Sequence, residues 1–228
     1  MLKAAKKIWS NEFFKGGIFY TASSLVVHVM NYLFNFLAGR GLGPKGYAEI
    51  SALFSYLIIA SVPATVLSTL LVQKISSSSQ NKASYTRSLE LLFWDKIKRW
   101  RYMMLIPFLF TPLLPNLTNL TPLAACTLLP LIILGLLSTF YSAALQGLQL
   151  FLAFSLLGVL ATFFKFLGAL LVSLGIGQIV TILIFLVISN FFLFYLSKKV
   201  VGKNLTADTT SPPKKMEKRI WQILKSRQ

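Results

Sequence analysis

Apolar residues dominate the chain in long runs, and the polar exceptions fall at helical spacing. From Lys15 to Tyr47 the run exceeds the roughly 20 residues a helix needs to cross a bilayer core. Within it Thr21, Ser24, His28, Asn31 and Asn35 recur at steps of three and four. At about 100° per residue they share a sector of roughly 80° on one side of the helix. A helix with two chemistries implies two environments, and inside a membrane the polar one is a bundle interior or a water-filled cavity. The run ends in the turn Gly39-Arg-Gly-Leu-Gly-Pro-Lys-Gly-Tyr47.

The same pattern predicts five further spans. The second covers about Tyr47 to Gln73, with a kink at Pro63. The segment Lys74 to Arg101 is Ser-rich, then basic, with Trp94 and Trp100 among the charges, and reads as a surface loop with a short interfacial helix. A third span, Tyr102 to Leu120, is interrupted by Pro107, Pro112 and Pro115 and rests on the demands of topology. Spans four to six follow at Leu123 to Leu145, Leu152 to Leu174 and Ile179 to Leu196, joined by the turns Gln146 to Phe151 and Gly175 to Gly177. The expected fold is thus an all-α membrane protein of six transmembrane helices. It divides into a basic interfacial helix (residues 1–15), a transmembrane lobe (16–197) and a basic cytoplasmic tail (198–228), with a linker at Thr206 to Pro213.

Composition changes little in this picture, but charge orients it. The chain is 55% hydrophobic and 13% charged, too apolar for an ordinary soluble domain. A formal net charge of +17 would point to nucleic acid in a soluble protein. Here position matters more than sum, and no nucleic-acid partner is expected. On six spans, 20 of the 23 Lys and Arg fall on one side, which by the positive-inside rule makes both termini cytoplasmic. Arg40 and Lys45 fall outside. A cleaved signal peptide is a poor reading of the N-terminus, because the apolar run is too long. The sequons at Asn116, Asn119 and Asn204 are read as chance. A single cysteine, Cys126, excludes an intrachain disulfide and reads as a small buried hydrophobe.

Candidate chemistry is sparse. Lys165 sits near the middle of the fifth span, where an ammonium costs on the order of 2.5–3.5 kcal/mol. The acidic residues Glu12, Glu49, Glu90, Asp95, Asp208 and Glu217 lie in loops or at span ends, so none is an obvious partner. Ala161, Gly168 and Val172 share its face and favour helix packing or a cavity wall. Snorkelling is weakened by its distance from both interfaces, which leaves a cavity-facing cation. His28 lies at similar depth, as a second cavity group or as part of the helix glue. Ser138, Ser142, Gln146 and Gln149 form another polar stripe on the fourth span, with the same two readings. A cationic cavity rich in amides and hydroxyls suits phosphate and sugar groups rather than a hydrophobic cation. No phosphate-binding loop, zinc motif or activated nucleophile is present, so neither an enzyme nor a cofactor or metal site is expected. His28 alone has an intrinsic pKa suited to proton coupling.

Lys15-Gly-Gly-Ile-Phe, Asn31 to Tyr47 and Gln146 to Phe151 resemble stretches of polysaccharide-export proteins of the O-antigen flippase type, in the multidrug/oligosaccharidyl-lipid/polysaccharide exporter superfamily. The Arg-x-Leu-Gly-Pro-x-x-Tyr turn, Arg40 to Tyr47, is the most specific part, and the likeness spans about residues 10–200. It implies translocation of a polyprenyl-diphosphate-linked glycan across the bacterial cytoplasmic membrane by alternating access. It also implies a central cationic cavity, for which Lys165, His28, Asn31, Asn35, Ser24, Arg40 and Gln146 are the substrate-binding candidates. The family has twelve to fourteen spans and this chain six, so it matches the N-terminal lobe. A truncated gene or fragment is the favoured reading; the others are half of a split transporter and a homodimer that supplies both lobes. Rival functions are a drug or small-metabolite exporter, with a more acidic or aromatic cavity, and a non-transporting membrane scaffold.

Overall fold

The computed structural model describes residues 12–78, 82–109, 115 and 120–207. Its elements are five helices: α1 (Glu12–Ser76), α2 (Lys82–Leu109), α3 (Pro122–Gly147), α4 (Phe151–Ser173) and α5 (Ile179–Ala207). Four of them, all but α2, contain stretches long and apolar enough to cross a membrane. The described chain is therefore a membrane-type, multi-pass helical protein.

As a straight rod, the 65 residues of α1 would be about three times as long as a hydrocarbon core is thick. It is not straight. Residues 34 and 54 would lie about 30 Å apart on one helix, yet the Phe34 and Phe54 rings meet edge to face at 5.7 Å between centroids. The chain folds back at Gly43, where φ is 68° and ψ is −178°. That region is essentially closed to side-chain-bearing residues. Pro44 then locks its own φ and removes a backbone donor as the second arm begins. The turn expected between the first two spans is this hinge, and each arm exceeds the length a bilayer core requires. Gly43 is the only residue of α1 outside helical φ/ψ, so Pro63 sits within a continuous arm. Gly43→Ala is expected to cost about 1–3 kcal/mol of stability, read as a lower thermal midpoint in detergent.

Several boundaries differ from the sequence reading. The basic segment and the start of the expected third span form one continuous helix, α2, because no Gly or Pro interrupts the sequence before Pro107. The helix that carries the expected sixth span does not stop at Leu196. Helix α5 runs on to Ala207, since Lys198, Lys199 and Lys203 are good helix formers that reach outward from an unbroken backbone. The boundary placed at residue 197 therefore falls inside a helix. The expected interfacial helix at 1–15 is described only from Glu12, where it is already part of α1. Most of the tail, including the rest of the linker, and the Asn116 and Asn119 sequons lie outside the described residues. Cys126 is exposed rather than buried; on an outward face that suits lipid, a small apolar side chain is accommodated without burial.

Packing is uneven. Helix α1 contacts α4 and α3 extensively, α5 closes against both, and α2 touches the rest lightly. Buried side chains form two clusters. One, around Phe34, Ile50, Leu128, Val172 and Ile182, lies on the side of the Gly43 hinge. There the Thr121 backbone N–H donates to Glu49 Oε1 at 2.9 Å, and the Thr121 hydroxyl donates to the same oxygen, tying the second arm to the N-cap of α3. The other cluster, around Ile75, Phe140, Tyr141, Leu145 and Val201, lies at the opposite end.

Candidate functional site

Between the two core clusters the packing opens into three adjoining clefts, all lined in part by Ser61. The largest, about 600 Å³, is bounded by Asn31 and Asn35 of the first arm, Ser51, Phe54 and Ile58 of the second, and Lys165 of α4. A second, about 350 Å³, runs past Thr65 and Ser68 to Ser142 and Gln146. The third, about 200 Å³, is mostly apolar and lies between Leu57 and Ala64 on one side and Leu131 and Leu136 on the other.

Lys165 projects from α4 between the two arms of α1. Its ammonium donates to Asn31 Oδ1 at 3.0 Å. It also lies 4.3 Å from the centroid of the Phe34 ring and 4.4 Å from that of Phe54. Asn31 is held in turn, because its Nδ2 donates to the Val27 carbonyl at 2.9 Å, which fixes Oδ1 toward the cation. A desolvated ammonium gains about 2 kcal/mol over an aromatic face, and a hydrogen bond to a charged group contributes about 1.5–3 kcal/mol. Those contributions are of the size of the insertion cost. A carboxylate is not needed, and among the described residues the ion pairs are elsewhere, Arg87 with Glu90 and Arg99 with Asp95.

The ammonium nevertheless has three N–H donors, and Asn31 Oδ1 takes one. No other hydrogen-bond acceptor among the described residues meets it. The cation is thus held in place from two sides by rings and an amide while it lines an open, hydroxyl-bearing cleft. Of the hydroxyls nearby, Ser61 Oγ donates to the Ile58 carbonyl at 2.7 Å and, in the adjoining cleft, Thr65 Oγ1 donates to that of Val62 at 2.8 Å. Their oxygens keep acceptor capacity toward the cleft.

The structure brings together Lys165, Asn31 and Asn35, and it places Gln146 in the adjoining cleft. The remaining candidates lie apart from them. His28 and Arg40 are exposed and Ser24 is half-buried, and none lines any of the three clefts. His28 shares the polar sector of Asn31 and Asn35 but stands nearer the start of the arm, exposed and outside the lining of the clefts. Gly168, on the Lys165 helix, serves packing: a Cβ there would come within 2.8 Å of Phe185 Cβ. The groups that sequence reasoning missed are Phe34, Phe54 and Ser61. An intramembrane lysine without an acid implies neutral partners, but nothing local identifies which of nineteen phenylalanines supply them.

A second polar group lies at the far end. Glu90 of α2 is buried, and Arg87 donates to its Oε2 at 2.7 Å. The fully buried Tyr141 donates its hydroxyl to Glu90 Oε1 at 2.9 Å and accepts from Trp94 Nε1 at 2.8 Å. Lys198 of α5 rests over the Trp94 ring at 4.9 Å. These contacts hold α2 against α3 and α5 together with the stack of Phe93 on Phe140, whose ring centroids lie 4.6 Å apart. Glu90→Leu strands the Tyr141 hydroxyl and is expected to cost about 1–3 kcal/mol. A double-mutant cycle with Tyr141→Phe, read by thermal unfolding, should give a coupling of about 0.5–3 kcal/mol.

No family model, curated protein or solved structure matches the chain.

Proposed function

We propose that the chain is one lobe of a translocase for a lipid-linked anionic glycan, polyprenyl diphosphate in type, acting in the cytoplasmic membrane. The observation that carries this reading is Lys165: a cation fixed on the wall of an open cleft of about 600 Å³, with donors to spare and amides and hydroxyls beside it. A diphosphate supplies the acceptors that the ammonium lacks, and charge-assisted bonds to phosphate are strong in a poorly solvated cleft. The hydroxyls and Gln146 of the adjoining cleft suit sugar hydroxyls, and the apolar crevice beyond Ser61 suits the first carbons of the lipid chain. A hydrophobic cation would meet the Lys165 charge with no carboxylate to offset it.

In this reading the two arms of α1, helices α3 to α5 and a span that includes the end of α2 make six crossings with both termini cytoplasmic. The open side of the cleft faces a second lobe, from another chain or a second copy. The resemblance of Arg40 to Tyr47 to polysaccharide exporters supports the same assignment.

The test is a flipping assay in proteoliposomes with a fluorescent polyprenyl-diphosphate sugar, with the mass of the particle measured in detergent. Transport by a dimer would establish a half-size translocase. Saturable binding by a monomer without transport would establish a lobe that needs its complement. Absence of both, from monodisperse helical protein, would remove the proposal.

A further inference from the structure

We propose that the end of the bundle opposite Gly43 carries a preformed binding surface for anionic phospholipid headgroups, built from α2 and the last turns of α5. The surface is strongly cationic. Arg87, Lys96, Lys98 and Arg99 on α2 are exposed, as are Lys198, Lys199 and Lys203 on α5. Of the carboxylates described on α2, Glu90 pairs with Arg87 beneath Tyr141 and Asp95 pairs with Arg99 at 3.5 Å, so the surface keeps an excess of positive charge.

Three further observations favour a lipid surface over a soluble polyanion. The charges stand at the edge of an apolar belt, since Phe191 and Tyr195, one to two turns before Lys198 on α5, are about half exposed. Trp94, whose ring lies under Lys198, gives its indole N–H to Tyr141 and so sits at the border between core and charge. Aromatic side chains with one apolar and one polar end are at home at headgroup depth. The platform is also rigid, because the Glu90–Tyr141–Trp94 hydrogen bonds fix the helix that carries half of the charge. A lipid phosphate therefore meets cations carried on an ordered helix, and binding orders their side chains but not the backbone, unlike a flexible basic tail.

The experiment uses the full chain in nanodiscs with equal phosphatidylglycerol and phosphatidylcholine, followed by native mass spectrometry of the lipids that remain bound. Basic residues near a charged leaflet each contribute on the order of a fivefold preference. The wild type is expected to retain the anionic lipid at least fivefold over the neutral one. Lys98→Gln, Arg99→Gln, Lys198→Gln and Lys199→Gln combined should lower the ratio at least fivefold, while the charge-preserving set Lys98→Arg, Arg99→Lys, Lys198→Arg and Lys199→Arg keeps it. A wild-type ratio near one overturns the proposal, as does an undiminished ratio in the glutamine variant or an equal loss in both variants. Should the glutamine variant not fold, salt decides on the wild type alone: the preference must weaken as ionic strength rises, and a salt-independent ratio overturns it.

Discussion

Lys165→Met is expected to weaken recognition of a polyprenyl-diphosphate headgroup by roughly one to two orders of magnitude while leaving the protein at least as stable as before. The two effects separate because they have different causes. Methionine fills a similar volume between Phe34 and Phe54 and removes the cost of holding a charge in the bundle, on the order of 2.5–3.5 kcal/mol, along with the ring and amide contacts that offset it. Asn31 loses its donor but lies at an open cleft, where water replaces it. Binding, by contrast, loses its charge-assisted contacts, about 1.5–3 kcal/mol, which is a roughly 10- to 150-fold weaker dissociation constant. Lys165→Arg keeps the charge and should retain most of the affinity. Titration of the fluorescent lipid into detergent-solubilised protein, alongside thermal unfolding, measures both quantities. Unchanged affinity in the methionine variant, with intact stability, would make Lys165 a structural link between α4 and the α1 hairpin and leave the cleft without its ligand.

The second large effect is expected at Gly41. A Cβ at this position would lie 2.8 Å from the Ser173 nitrogen and 2.9 Å from both Ser173 Cα and the Val172 carbonyl carbon. These are backbone atoms at the end of α4, so no side-chain rotation relieves the clash. Gly41→Ala should cost about 1–3 kcal/mol, and Gly41→Leu more, because the hairpin tip must lift away from α4. Lifting the tip also widens the space around Lys165, which stands on α4 and takes its partners from both arms. Gly202→Ala is the matched control. Nothing stands within 4 Å of a Cβ there, and alanine in a helix interior is favoured over glycine by about 1 kcal/mol. Thermal unfolding in one detergent should therefore show opposite signs for the two glycines; equal shifts would mean that the hairpin tip is not seated on α4.

Both predictions rest on contacts between residues far apart in the chain, and this marks the division between sequence and structure. Sequence alone determined that the chain is helical and membrane-embedded, since uninterrupted apolar runs leave a helix as the way to satisfy the backbone in lipid. It located the Gly-rich turn near Arg40, the turns at Gln146 to Phe151 and Gly175 to Gly177, and the isolated lysine. These are local properties, set by periodicity, by glycine and proline, and by the cost of one charge. Where a helix stops when no breaker is present was not legible, so α2 and α5 ran past their expected ends.

Which side a polar residue faces was decided only by tertiary packing. Asn31, Asn35 and His28 share one stripe, yet two line the cleft and one is exposed apart from it, because a shared angular sector does not set where along the arm the neighbouring helices leave a cleft. Glu90 reads as a loop carboxylate and is buried, since α2 lays it against Tyr141 some fifty residues away. Lys165 finds its compensation in Phe34 and Phe54, which come together only when the chain reverses at Gly43. Sequence fixes what each residue can do; the fold chooses its neighbours, because those contacts exist only once the helices are packed.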